Sequence, residues 1–358
     1  MSNDEFPAFS VLLSVYKDEE PAFLDKALES IEDQTVKPNQ IVAVVDGPIG
    51  SELDLLLKQL ELFLQVMEQD NMDERDHIPF TVLMAVYKGD KAAFLEKTFE
   101  SILNQTVLPN EIVLVEDGKV SVEIQNVIGK FQKNFDGKFT LLKLKKNSGL
   151  GHALNFGSKY VTTEWIARVD SDDINALNRF QLELDAINKY PDVSLIGGQI
   201  DEFQNHLDQT VGSRIVPTTH GQIVNFLKYR NPFNHPTVMV KKAALEDSGN
   251  YLSFGNLEDY YLWARMIVNK YKTVNLPEIL VHMRIGNGMY ARRGKVSNVK
   301  YVIKLHNYLF KNNLCTIYEL AYGIFIGVSN LVMPKMLRKN IYQKVLHKPK
   351  NNRIMREK

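Results

Sequence analysis

Short apolar runs along this chain alternate with longer stretches in which apolar residues return every three or four positions. That rhythm predicts strands joined by helices. Val82 to Tyr87 reads as a strand, and Phe94, Leu95, Thr98, Phe99, Ile102 and Leu103 mark one face of a helix. Pro109-Asn110 is a turn, and Glu111 to Asp117 is a second apolar run ending in acid. Strand, helix, strand is a βαβ unit, which sets both strands parallel in one sheet. The same reading gives a helix near 121–134, a strand near Phe139 to Leu144, a helix from His152 and a buried strand from Trp165 to Val169. A helix over Arg179 to Tyr190, a strand from Val193 to Gly197, a short apolar run from Val238 to Val240 and a helix opening at Leu257 follow. The fold class is α/β, a mainly parallel sheet flanked by helices. Ligands of such sheets sit at the carboxyl ends of the strands.

The pattern occurs twice. Residues 9–47 match residues 80–118 at 23 of 39 positions, without a gap, at an offset of 71. Two copies are too few for a solenoid, so this is a duplicated half-domain. The second copy is expected to be the working one. It runs on into a glycine loop and an acidic segment, whereas the first has Val45 where the second has Glu116. The expected organisation is a degenerate βαβ lobe at 1–70, with an apolar helical stretch near 50–68, and a polar linker at 71–78. A catalytic domain at 79–293 and a helical, basic region at 294–358 complete it. The first lobe is expected to pack on the catalytic domain or on a second subunit, which makes a homo-oligomer one of the candidate assemblies.

Composition narrows the class. At 358 residues, 44% hydrophobic and 24% charged, the chain suits globular α/β architecture with a large core. Lys plus Arg and Asp plus Glu are both 43, so bulk charge supplies no argument for a nucleic-acid partner, and none is expected. One cysteine, Cys315, allows no intrachain disulfide and fits a reducing compartment. The first seven residues do not read as a signal peptide. Ile317 to Met333 is almost wholly apolar, with Glu319 its only charge, and Pro334 to Lys358 then carries nine Lys/Arg and one acid. Too short to span a bilayer comfortably, this pair fits an interfacial anchor on an anionic membrane surface. The bland alternative is a core helix with a solvated tail.

The candidate chemistry lies at the strand ends. Ile166-Ala-Arg-Val-Asp170-Ser-Asp-Asp173 delivers three carboxylates in four residues. Crowded carboxylates repel unless a cation lies among them, and a hard divalent ion takes such oxygens together with substrate phosphates. The competing reading is a polar turn in which Asp173 caps the next helix. Asn147-Ser-Gly149-Leu-Gly151 before a helix can bring backbone amides to a phosphate, although glycine turns before helices are common. Glu258 and Asp259 open a helix, where its dipole alone would favour them. His282 could ligate a metal or be structural. Arg292 and Arg293, after the glycine-bearing 286–288 segment, could hold a diphosphate or lie on the surface. Trp263 reads as core.

Taken together, these motifs resemble those of the family 2 inverting glycosyltransferases with the GT-A fold. The resemblance is strongest to bacterial enzymes that build capsular or exopolysaccharide repeat units. It is carried by Val82-Leu-Met-Ala-Val-Tyr87, Ser101-Ile-Leu-Asn-Gln105, Glu111 to Gly118, Asn147 to Asn155, Asp170-Ser-Asp-Asp173, Asn234-His-Pro-Thr237 and Glu258-Asp259. It implies the nucleotide-diphospho-sugar transferase fold, with the first copy as an extra βαβ lobe and the C-terminal tail helical. It implies donor binding by Ala85, Tyr87, Asp117, Gly149, His152, Asn155 and Asp170, with Asp117 accepting a hydrogen bond from uracil. It implies a metal, Mn²⁺ or Mg²⁺, held by Asp172 and Asp170, and catalysis by Asp259 with Glu258 beside it. His235, Arg292 and Arg293 fall to the acceptor or diphosphate. Lys88 departs from the family, where Asn often follows the Tyr. The implied activity is transfer of a sugar from a nucleotide-sugar, UDP-linked by resemblance, to a saccharide or polyprenyl-linked saccharide at the cytoplasmic face of the cell membrane. A sugar nucleotidyltransferase and a non-catalytic nucleotide-sugar-binding scaffold are the alternatives.

Overall fold

The computed structural model describes residues 10–16, 20–32, 40–50, 53–54, 57, 77–204, 207, 210–285 and 298–332. The chain divides into two compact units, Met1–His77 and Ile78–Lys358. In the first, β1 (Ser10–Tyr16), α1 (Pro21–Glu32) and β2 (Gln40–Asp46) form one βαβ unit. Its two strands pair in parallel, from Ser10 opposite Gln40 to Tyr16 opposite Asp46. Val15, Leu24 and Leu53 are its buried core. The helical stretch expected near 50–68 and the linker at 71–78 fall mostly outside the described residues.

The second unit repeats the motif and extends it. β3 (Phe80–Val86), α2 (Ala92–Leu103) and β4 (Glu111–Asp117) are followed by α3 (Val122–Asn134), β5 (Lys138–Leu144), α4 (Leu150–Ser158) and β6 (Trp165–Arg168). Then come β7 (Ile174–Asn175), α5 (Arg179–Lys189), β8 (Val193–Phe203), β9 (Thr210–Arg214), α6 (His220–Leu227), β10 (Met239–Lys241), α7 (Lys242–Asp247), α8 (Glu258–Val268) and β11 (Lys272–Arg284). Helices α9 (Val299–Lys311) and α10 (Ile317–Val332) complete it. The nine-stranded sheet runs β5-β4-β3-β6-β10-β8-β11-β7, with β9 on β8. From β5 to β6 every pair is parallel, as the repeat pattern predicts. The far half is mixed, because β10 is antiparallel to both β6 and β8.

Alternation along β3 sends its side chains to two cores. Val82, Met84 and Val86 pack with Leu95 and Phe99 of α2, Phe131 of α3 and Phe180 of α5. Leu83 and Ala85 face Leu154 of α4, Leu262 and Met266 of α8 and Leu305 of α9. Each fully buried side chain of this size contributes roughly 1.5–3 kcal/mol. The approach of α4 is set by Gly157, where an added Cβ would lie 2.7 Å from Leu83 and 2.8 Å from Val115. The strand β11 carries Pro277 and gives no clean alternation. Its register slips between Asn275 and Ile279, a bulge that accommodates a residue with no N–H.

Connections leave β3 toward β4 on one side and leave β6 toward the β8–β11 half on the other. The crevice at the carboxyl ends of β3 and β6 is therefore the switch point where loops part and a ligand can enter.

Candidate active site

The acidic segment opens directly from β6. Arg168, the last strand residue, is buried, and its Nη2 meets Asp170 Oδ1 at 2.5 Å. Burial opposes the guanidinium charge, but Asp170 more than offsets it. Arg168 Nε and Nη1 are buried without a hydrogen-bond partner. Arg179 Nη2 donates to the Arg168 carbonyl at 2.9 Å and steadies the strand end. The Asp170 side chain remains 32% exposed. Asp173 turns inward and accepts from the Arg284 backbone N–H at 2.8 Å. Its carboxyl is held well above the usual carboxylate range, first by burial and then by the charges of Asp170 and Asp172. The alternative in which Asp173 caps the next helix is overturned. The next element is β7, and α5 begins only after Asn178. Asp173 is instead a pin to β11 that leaves Asp170 and Asp172 at the mouth.

The loop after β3 is tied to the same segment. Asp90 Oδ2 accepts from the Tyr87 N–H at 3.0 Å and from the Ser171 hydroxyl at 2.9 Å. The half-buried Tyr87 ring lies on Gly89, where an added Cβ would fall 2.5 Å from it. Ala85 is half-buried on the α4 side of β3.

At the end of β4, Asp117 grips the glycine loop. Its Oδ1 accepts from the Ser148 N–H at 2.7 Å and its Oδ2 from the Gly149 N–H at 2.8 Å. Any ligand donor at Asp117 must share oxygens already holding this loop. Gly118 sits at φ +83°, with its missing Cβ only 2.6 Å from Asn147 N. Gly149, at φ +92°, is the N-cap of α4 and faces open space. His152 is exposed in the first turn of α4. Asn155 Nδ2 donates to the Tyr251 carbonyl at 2.8 Å, so its amide braces the 251 loop.

The opposite wall comes from the first turn of α8. Asp259 Oδ2 accepts from Asn231 Nδ2 at 2.6 Å, which fixes the carboxylate. Glu258 packs on Gly151, and its Oε2 is buried without a partner. Burial, and then the charge of Asp259, push its carboxyl up to about 7. His235 Nε2 shares a hydrogen bond with the Tyr251 hydroxyl at 3.1 Å. Burial, and then Arg168, hold its imidazole well below the ordinary range, so it is neutral. Tyr251 is the common neighbour of both walls. Burial raises its phenol, Arg168 lowers it, and the charges of Asp259, Asp170 and Glu258 all raise it.

His282 stands opposite Ile174 of β7, beside the acidic segment, and its Nδ1 pairs with Asp201 Oδ1 at 2.7 Å on the neighbouring strand β8. Trp263 is fully buried, in the core. Arg292 and Arg293 lie outside the described residues. Three residues at the centre carried no expectation: Arg168, Asn231 and Tyr251. Only Arg168 left a signal, a charge inside an apolar strand run, where burial demands a partner.

The model of the family described as Glycosyl transferase family 2 matches residues 81–249. An uncharacterized glycosyltransferase of Haemophilus influenzae is 36% identical over 269 residues, covering 75% of this chain and 99% of that protein. The UDP-Gal:alpha-D-GlcNAc-diphosphoundecaprenol beta-1,3-galactosyltransferase of Escherichia coli is 34% identical over 271 residues, covering 75% of this chain and 97% of the relative. Among solved structures, S. aureus TarS in complex with UDP superposes with a TM-score of 0.54 at 14% identity, covering 74% of each chain. The mannosyltransferase PcManGT from Pyrobaculum calidifontis, in complex with GDP-Man and Mn²⁺, gives 0.52 at 14% identity, covering 76% of each. These superpositions establish the shared fold.

Proposed function

This chain belongs to glycosyl transferase family 2, and from that premise we propose that it is a metal-dependent inverting enzyme. It moves a sugar from a UDP-sugar to a saccharide or lipid-linked saccharide in surface polysaccharide biosynthesis. The observation that carries this reading is the meeting of the strand-end acids, with Asp170 held by Arg168, the glycine loop, with Gly151 against Glu258 and Asn155 on the Tyr251 carbonyl, and the first turn of α8, with Asp259 held by Asn231. A UDP donor is supported by the Escherichia coli relative, named for UDP-Gal, and a lipid-linked acceptor by the diphosphoundecaprenol in the same name.

Inverting transfer is one in-line displacement. The acceptor oxygen bonds to the anomeric carbon, the bond to the nucleoside diphosphate breaks, and the hydroxyl proton passes to a base. Asp259 is that base. Asn231 orients one of its oxygens at 2.6 Å and the Tyr260 N–H the other at 2.7 Å, so the carboxylate is held in one orientation toward the acceptor hydroxyl. Burial and the charge of Asp259 raise Glu258 to about 7, so near neutrality it is charged less fully than an ordinary carboxylate. The neutral His235 and Tyr251 line the floor as hydrogen-bonding groups.

The donor set fits a hard divalent cation. Among the described residues no three or more His, Cys, Asp or Glu side chains form a ready-made cage. Asp170 and Asp172 flank Ser171 in the acidic segment and the charge of each bears on Asp173, while Arg168 already holds Asp170 Oδ1 at 2.5 Å. Two carboxylates completed by phosphate oxygens are how Mg²⁺ or Mn²⁺ is held. When bound, the ion supplies positive charge to the departing diphosphate.

The test is nucleotide release from a panel of UDP-, GDP- and dTDP-sugars with Mn²⁺ and a saccharide acceptor. Release is expected from a UDP-sugar, and Asp259→Asn is expected to lower it about a hundredfold or more at an unchanged melting temperature. Transfer by Asp259→Asn at the wild-type rate would remove Asp259 as the base.

A further inference from the structure

Helix α10 is 16 residues long, about 24 Å at 1.5 Å per residue. No described helix is long and apolar enough to cross a membrane. Tyr318 is 85% exposed, Tyr322 57% and Phe325 67%. At 3.6 residues per turn these three fall within an arc of about 60°. The opposite face is committed to α9. An added Cβ at Gly323 would strike the His306 ring, and one at Gly327 would lie 2.5 Å from Val302.

The only charge on α10 is turned away from the exposed face. Glu319 Oε1 accepts from Lys228 Nζ at 2.8 Å and from the Tyr229 hydroxyl at 3.2 Å. Its Oε2 accepts from the Thr316 N–H at 2.8 Å. A helix face meeting water ordinarily carries charge. This one carries aromatics, of which tyrosine in particular favours the boundary between headgroups and acyl chains.

We propose that this aromatic face of α10 rests on an anionic membrane surface. Anionic lipid is singled out by charge complementarity. Residues 334–358, which follow the helix directly, carry nine Lys/Arg and one acid. Each basic residue near such a surface adds to the attraction, and salt screens it. The face is also wired to the candidate site. Tyr322 stacks edge-on against Tyr229 at 5.7 Å, Glu319 holds Lys228 and Tyr229, and Asn231, two residues on, orients Asp259. A surface that seats α10 thereby presents a membrane-borne acceptor to the wall that carries the base. This last step rests on the glycosyltransferase reading; the seating itself does not.

The experiment is co-sedimentation of the full chain with phosphatidylcholine vesicles, with and without phosphatidylglycerol, beside a UDP titration with Mn²⁺ on the same preparation. Binding is expected only to phosphatidylglycerol vesicles and is expected to weaken with added salt. Tyr318→Ser combined with Phe325→Ser should lower it at least about tenfold with melting temperature and UDP affinity unchanged; Tyr322 is left alone because it packs on Tyr229. Wild-type protein that stays in the supernatant with both vesicles overturns the proposal. So does a double variant that binds like wild type, or a lipid-free dimer that the double variant abolishes. Intact UDP affinity in any of these results leaves the glycosyltransferase reading standing, and its loss in wild type would count against that reading alone.

Discussion

The two copies of the half-domain share residues, strand pairing and register, yet among the described residues matched positions differ in burial. β1 meets β2 from Ser10 opposite Gln40, and β3 meets β4 from Thr81 opposite Glu111, the same positions at an offset of 71. Val44 and Val45 are exposed, whereas their counterparts Val115 and Glu116 are buried. Gly47 and Gly118 have nearly the same backbone, φ +84° and +83°, but an added Cβ meets nothing at the first and Asn147 at the second. β3 and β4 gain β6 and β5 as outer neighbours, and helices on both faces. Among the described residues β1 and β2 form a sheet of two strands. At Val115, Glu116 and Gly118, burial is therefore conferred by what the rest of the chain supplies around the repeated strands.

The sharpest way to break this contrast is a charge at matched positions. Val115→Asp should cost about 4 kcal/mol or more, because an unpaired carboxylate enters a closed core, while Val44→Asp should stay within about 0.5 kcal/mol. Thermal melting of the two variants decides it, and equal losses would mean the first copy is as enclosed as the second. The glycine pair is the next test. Gly47→Ala should cost only the left-handed backbone penalty of about 1 kcal/mol, and Gly118→Ala at least about 2 kcal/mol more, since the Asn147 backbone must move. The melting temperatures should separate accordingly, with UDP affinity falling only for Gly118→Ala.

Asp117→Asn keeps one acceptor oxygen and loses one charge-assisted bond to the Ser148–Gly149 amides. It should cost about 1.5–3 kcal/mol and weaken UDP binding in calorimetry. A variant with full stability and full affinity would show that the loop stands without its tether. The smallest effect lies in the site that the second copy serves. Glu258 is raised from 4.5 to about 7 in the folded protein. Its contribution to stability is fully present below the unfolded value and is lost as pH rises through the folded one. Metal-free wild type should thus lose on the order of 2 kcal/mol between those limits relative to Glu258→Gln. Parallel pH–stability curves would show that Glu258 ionises freely.

Much of the fold was legible because periodicity is local. The repeat, the parallel strands up to β6 and the helices at Ala92, Arg179 and Glu258 all follow from spacing along the chain. β11 was not legible, since Pro277 and the bulge interrupt its alternation. β7 and β9 were not either, at two and five residues. The order of the acidic and glycine motifs pointed to the candidate site, but not the partners that define it. Arg168 with two open donors, Asn231 on Asp259 and Tyr251 between the walls come from segments far apart in sequence.

By itself the amino-acid order determined which segments become strands or helices, that one half-domain occurs twice, and which acids end which elements. Only the tertiary structure decided that Val115 and Glu116 are buried where Val44 and Val45 are exposed, that Asp173 pins β11 instead of capping a helix, and that Glu258 titrates near neutrality. Secondary structure depends on neighbours a few residues away, whereas desolvation and charge pairing depend on whatever the folded chain brings alongside.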